Sequence, residues 1–236
     1  MKHKVWMIEV AYWVGLVALF SLPFRTSSWL GWLAIAGLIH LLMALTISVG
    51  NHRLFCHASF KTNRFWHTIL ALGSVFTVYG SPIQWAAMHH AHHVDSDTDL
   101  DPHPKPGSFK IFANLGYRDI PMRAISSRRL ISDPVQAFIH RHHNLILLVG
   151  LVVMFLVSPM FFLNAFLPGL GILHLAARIH IMLAHIGDTP RDFAVLELLL
   201  PSGGEWYHKM HHEKPGAWRF GKWDIGAAVV VAIRKK

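Results

Sequence analysis

Three short histidine clusters hold the residues best suited to chemistry. They run His52-Arg53-Leu54-Phe55-Cys56-His57, His89-His90-Ala91-His92-His93 and His208-Lys209-Met210-His211-His212. A neutral imidazole offers one lone pair and is the commonest side-chain ligand for a transition metal. On an α-helix, residues three and four apart share a face, so His89, His92 and His93 can converge, and His208, His211 and His212 repeat that geometry. His52 and His57 are five apart, which on an α-helix turns them by about 140° and suits them to different metals. Together the spacings favour a two-metal site. Imidazole accepts Fe, Zn, Cu and Ni, so ligand type leaves the metal open, and two irons are the working expectation. Soluble di-iron bundles use repeated Glu-x-x-His pairs, and here Glu205 with His208 is the one such pair, so a carboxylate-bridged centre is not expected.

The clusters must be positioned by a very apolar chain. Of 236 residues, 53% are hydrophobic and 15% charged, which points to one integral membrane domain over residues 1–236. The net charge of +9 comes without a basic stripe or nucleic-acid module, so no nucleic-acid partner is expected. A single cysteine, Cys56, excludes an intrachain disulfide and a many-thiolate metal site. The opening Met1-Lys2-His3-Lys4 before an apolar run resembles a signal peptide, but no small-residue cleavage pattern follows, and the run reads as a retained first helix.

Four spans are predicted, at about 5–24, 29–50, 144–162 and 167–186, arranged as two hairpins. Lys and Arg concentrate between Arg53 and Arg141 and from Arg191 to Lys236, which places both termini and a cap of residues 51–143 and 187–236 on the cytoplasmic side. The uncharged stretch Phe65 to His93 is interrupted by Gly73, Gly80, Ser81 and Pro82. A crossing there would separate the first two clusters, so it is expected to lie in the interface or dip into it. The fold class is thus an all-α membrane protein of four transmembrane helices with a cytoplasmic helical cap bearing the histidines. His3, His40, His67, His90, His140, His142 and His143 lack a complementary pattern and are not expected to bind metal.

From about Asn51 to Gly226 the motifs resemble the membrane fatty acid desaturases, in their stearoyl-CoA or Δ9 branch. The first cluster has the family's H-R-L-x-x-H form, and the second continues into a D-x-D-P-H tail at Asp99 to His103. The third follows Gly204-Glu205, and Ser132-Asp133-Pro134-Val135 and Asp224-Ile225-Gly226 also match. The resemblance implies nine ligands to two irons: His52, His57, His89, His92, His93, His185, His208, His211 and His212. It also implies Trp85 beside a substrate tunnel, although an interfacial anchor reads equally well from the sequence. One position departs: the family has Asn four residues before the last-helix histidine, where this chain has Ile181. His174 and Arg178 share the His185 face but sit about 16 Å and 10 Å away, and His180 is rotated from it by about 140°, suiting packing or support of a ligand.

By resemblance, the protein inserts a cis double bond, at Δ9, into a saturated acyl chain with O2 as co-substrate. The acyl group would be carried as acyl-CoA, acyl-lipid or on acyl carrier protein. With no flavin, nicotinamide or haem motif visible, two electrons must come from a carrier such as cytochrome b5 or a ferredoxin. Asp97, Asp99, Asp101 and Glu205 are candidates to accept hydrogen bonds from ligand imidazoles. The alternatives are a related lipid hydroxylase and a non-redox membrane metal-binding protein, the latter requiring polar ligands within the spans.

Overall fold

The computed structural model describes residues 5–103, 109–113, 128–186 and 189–235; His3 and the rest of the opening basic tetrapeptide lie outside them. The regular structure of the described residues is helical, with isolated bridges at Thr62 to Arg234 and Asp192 to Tyr207. The principal helices are α1 (Val5–Phe20), α2 (Trp29–Leu45), α3 (Arg64–Val75), α4 (Pro82–Asp95), α5 (Pro134–Val157), α6 (Leu167–Ala184), α7 (His208–Glu213) and α8 (Ile225–Ile233).

Among the described residues, three continuous helical stretches are long and apolar enough to cross a bilayer: Trp29–Cys56, Pro134–Val157 and Pro159–Ala184. The expected first span is shorter than drawn from sequence. Helix α1 has 16 residues, against the roughly 20 that a bilayer core requires. The other boundaries also move. Helix α2 does not stop at Gly50 but runs on as a π-helix over Thr46–Cys56, carrying the first cluster on the helix itself. Helix α5 starts at Pro134 rather than Asn144, because the Asp133 carboxylate caps it by accepting from the Val135 and Gln136 amides at 2.9 and 3.0 Å. Its turn falls at Ser158-Pro159, ahead of the expected 162–167 link, and Leu148, Val152 and Leu156 stay exposed as an apolar stripe.

The stretch 65–93 is two helices. Ser81 ends the turn between them and opens α4 with a capping box: Gln84 N–H donates to its hydroxyl, and its own amide donates to the Gln84 side chain. Helix α4 thereby starts at Pro82 and presents the second cluster on its last turns.

Helices α1 and α6 cross where Gly15 meets Gly171. A Cβ on Gly15 would fall 2.5 Å from the Gly171 backbone, so only glycine permits this approach. Nearby, buried Arg178 donates to Glu9 at 2.8 Å and to the Ile111 carbonyl at 3.0 Å, and lies 3.6 Å over the Tyr12 ring. A charge this deep persists only when paired, and this one ties α1, α6 and the 109–112 turn together.

Candidate metal centre

The π-helical end of α2 corrects the reading of the first cluster. Its backbone closes i→i+5 hydrogen bonds, including His57 N–H to the His52 carbonyl at 3.0 Å, so the two rings meet edge-on one turn apart rather than splaying. Their centroids are 5.0 Å apart, and both join one group. The five-residue group is His52, His57, His89, His93 and His211; a four-residue group is His92, His185, His208 and His212. All nine expected ligands are brought together, but the boxes are split. Helix α4 gives the i,i+4 pair His89 and His93 to the first group and His92 to the second. Helix α7 does the reverse, giving His211 to the first and His208 with His212 to the second. His185 arrives from the C-terminal end of α6.

The spacing fits a cation. With a metal–nitrogen bond of about 2.1 Å, neighbouring ligand nitrogens lie about 3.0 Å apart at octahedral angles and about 3.4 Å at tetrahedral ones. In the five-residue group the Nε2 atoms of His52 and His211, His57 and His89, and His89 and His93 are 3.0, 3.1 and 3.0 Å apart. His211 Nε2 lies 3.3 Å from that of His89 and 2.7 Å from that of His93. In the other group His208 Nε2 is 2.6 Å from that of His185 and 3.0 Å from that of His212. So many converging nitrogens cannot all be satisfied by one another's single protons, whereas a metal ion satisfies them together.

Carboxylates fix which nitrogen faces inward. His52 Nδ1–H donates to Glu205 at 2.7 Å, His92 Nδ1–H to Asp101 at 2.9 Å, and His185 Nδ1–H to Asp97 at 3.0 Å. Each leaves its Nε2 lone pair for a metal. Asp97 reaches its partner from φ 64°, a left-handed conformation that Asp tolerates better than most residues. Burial raises Asp101, but hydrogen bonds from His103 and His92 outweigh it and hold the carboxyl well below the usual range. Glu205 is raised by burial against the opposing charge of Arg53. Three of the four candidate acids therefore support ligands; Asp99 is not among these three. Asp101→Asn is expected to weaken metal binding about 10- to 100-fold while the fold persists, read by metal titration of the purified protein.

Burial keeps the imidazoles neutral: it lowers His57 to about 4, His93 to about 3 and His212 to about 2, and neighbouring histidines push the same way. In metal-stripped protein the unfolded rings, with pKa about 6.5, take up protons that the folded rings refuse. Stability is therefore complete above about pH 6.5 and falls as pH drops from there toward these lowered values. Thermal unfolding of the stripped protein at about pH 8, 6.5 and 5 should show this decline, and added metal should oppose it.

Sequence reasoning missed the tie between the boxes. Arg53, inside the first cluster, is fully buried and donates to Asp224 at 2.9 Å and to the Gly203 carbonyl at 3.0 Å, also contacting the Ser48 hydroxyl. The Glu197 carboxylate accepts from the Gly204 and Trp206 amides at 2.9 and 3.1 Å and holds the same loop. Gly204 sits at φ 104°, where a Cβ would meet Asp224 Oδ1 and Arg53 Nη2. The available signal was a charged residue at the end of an apolar span.

Beside the four-residue group lies a cavity of about 170 Å³, lined by apolar side chains including Ile47, Met88, Leu173 and Ile181 and, toward the histidines, by His92, His185 and His208. Trp85 lines it and stacks on His89 at 4.7 Å. Among the described residues, His40, His67, His90, His140, His142 and His143 join neither group. His40 instead meets the Pro201 carbonyl, and His140 meets the Ser81 hydroxyl.

No family model matches the chain. Known proteins do. The sn-1 stearoyl-lipid 9-desaturase of Anabaena variabilis is 30% identical over 169 residues, covering 66% of this chain and 60% of the relative. Bovine stearoyl-CoA desaturase 5 is 25% identical over 90% of this chain and 69% of its own length. The chain is similar to fatty acid desaturases over much of its length. A third relative in the comparison, the hex-5-enoyl-acyl-carrier protein acetylenase of Moorena producens, is 25% identical over 82% of this chain and 71% of its own. The chain spans about 60% of the length of the Anabaena desaturase, the first of these.

Proposed function

We propose that this protein is a membrane acyl desaturase that binds two iron ions and removes two vicinal hydrogens from a fatty acyl chain, at Δ9, as a cis double bond. The observation that carries the reading is the pair of imidazole groups, five and four strong, placed beside an apolar cavity. His52, His57, His89, His93 and His211 would hold one ion; His92, His185, His208 and His212 would hold the other. When bound, iron supplies the O2 chemistry needed to break unactivated C–H bonds, which no side chain here can supply. The overall reaction joins one CH2–CH2 unit, one O2, two electrons and two protons to give CH=CH and two waters.

The chain's own residues supply position. Ile47, Met88, Leu173 and Ile181 exclude water and hold the methylene chain, and Trp85 stacks against His89 at the wall where chain and ligands meet. Asp97, Asp101 and Glu205 keep three ligand rings in the orientation that metal needs. Four spans in two hairpins, with both termini and the metal site cytoplasmic, would put the site within reach of a soluble or membrane-anchored electron carrier such as cytochrome b5 or a ferredoxin. The acyl carrier is CoA, a lipid or acyl carrier protein, in line with the different carriers named in the relatives.

Expression in a host lacking its own desaturase, with electron carriers supplied, tests the reading through the fatty acid profile. A new monounsaturated acid supports it; unchanged unsaturation with verified metal loading overturns it. A second reading, another C–H oxidation such as hydroxylation or further dehydrogenation of an alkene, draws on the acetylenase relative. An oxygenated or alkynyl product in the same profile would establish it.

A further inference from the structure

His208 is the hub of the four-residue group, because its Nε2 is the atom within 2.6 Å of His185 and 3.0 Å of His212. A small tilt of this ring would break both relations. The helix that carries it does not fix the tilt alone: α7 has six residues, and although Asp192 caps its first turn by accepting from the Lys209 and Met210 amides at 2.8 and 3.3 Å, that holds the backbone and not the ring. The other ring nitrogen has a partner. His208 Nδ1 lies 3.3 Å from Nε2 of His180, whose ring meets it edge-on at 4.9 Å between centroids. On its other side His180 packs against Trp206 at 5.0 Å, and Trp206 is itself held by its indole N–H on the Leu200 carbonyl at 2.8 Å.

We propose that His180 is a positioning residue for the second metal, accepting a hydrogen bond from His208 Nδ1–H and so presenting the His208 Nε2 lone pair to the ion. This rests on the two-metal reading above. The chemistry of the position supports the assignment. His180 lies between Ile179 and Ile181 on α6, and its Nδ1 is buried without a hydrogen-bond partner, a penalty that an apolar residue would avoid. Its contact with His208 is the compensation. His180 also differs from the supports of His52, His92 and His185, which are carboxylates: a neutral acceptor orients the ring but raises its basicity less. The second ion is accordingly held through one uncharged support, on the side of the centre where Ile181 lines the cavity.

Purified full-length protein, its His180→Phe variant and its His180→Gln variant are titrated with Co(II) and Fe(II), following the Co(II) absorption bands and total bound metal. Phe keeps the ring and the Trp206 contact without an acceptor; Gln restores an acceptor. Wild-type protein should bind two ions. His180→Phe should retain one ion at unchanged affinity and bind the other about 10- to 100-fold more weakly, with altered bands for that ion alone. His180→Gln should recover most of the loss. Equal binding of both ions in His180→Phe, equal weakening of both, or a loss that His180→Gln does not recover overturns the proposal. Fewer than two ions in the wild type overturns the two-metal reading beneath it, a failure distinguishable because no variant is involved.

Discussion

His211→Ala is expected to abolish acyl oxidation and to lower bound metal. The reason is geometric. Its Nε2 lies within 3.3 Å of those of His52, His89 and His93, so it is the atom on which ligands from α2, α4 and α7 converge. Removing it leaves the other four rings without the element that closes the group from the third box, and no nearby carboxylate takes its place: Glu205 is already engaged by His52 Nδ1. His92→Ala should do the same from the four-residue group. Metal analysis and product profiling on the same preparations check both variants. Turnover retained by either would remove that residue from the ligand set.

Arg53→Leu should have the largest effect on stability. Arg53 and Asp224 are both fully buried at their side chains, and the guanidinium also serves the Gly203 carbonyl and lies 4.1 Å over Phe220. Removing one member leaves Asp224 charged and unpaired in a dry interior, at a cost of about 3–5 kcal/mol. Because the 203–205 loop carries Glu205, which orients His52, metal affinity should fall with stability. The double variant Arg53→Leu with Asp224→Asn should recover part of the stability, since it buries no orphan charge and the amide oxygen still accepts from the Ala227 N–H that caps α8. Denaturant or thermal unfolding in detergent provides the comparison. A single variant as stable as wild type would show that the pair is not a structural tie.

Much of the site was legible in the chain because its chemistry is local. Imidazoles at i and i+4 on α4 and α7 share a face by helix geometry alone, and the capping signals Ser81-Pro82 and Asp133-Pro134 mark where two of the site's helices begin. The break between α3 and α4 followed from Gly80, Ser81 and Pro82. The span boundaries were less legible. Hydropathy reports where charge is absent, whereas helix ends are set by caps and by backbone winding, which moved the start of α5 to Pro134 and the end of the helical stretch that begins at Trp29 to Cys56.

The pairing of His52 with His57 was misread for a related reason. Five residues are more than one turn of an α-helix but close one turn of a π-helix, and nothing in residues 46–56 taken alone announces the wider winding. Packing selects it: the widened turn lies fully buried from Ser48 to Cys56, between α3 and α4.

By itself, then, the sequence determined which residues could carry chemistry: three histidine boxes flanked by apolar stretches, with His185 and the acidic supports within reach of motif reading. Tertiary structure alone decided how nine rings divide into five and four, that α4 and α7 each serve both groups, and that Arg53 and His180 stand behind them. The physical reason is range. Ligand type and helical face are properties of a few consecutive residues, but the direction in which a ring's second nitrogen points, and what meets it there, depends on segments more than a hundred residues apart in the chain, as His52 and Glu205 are.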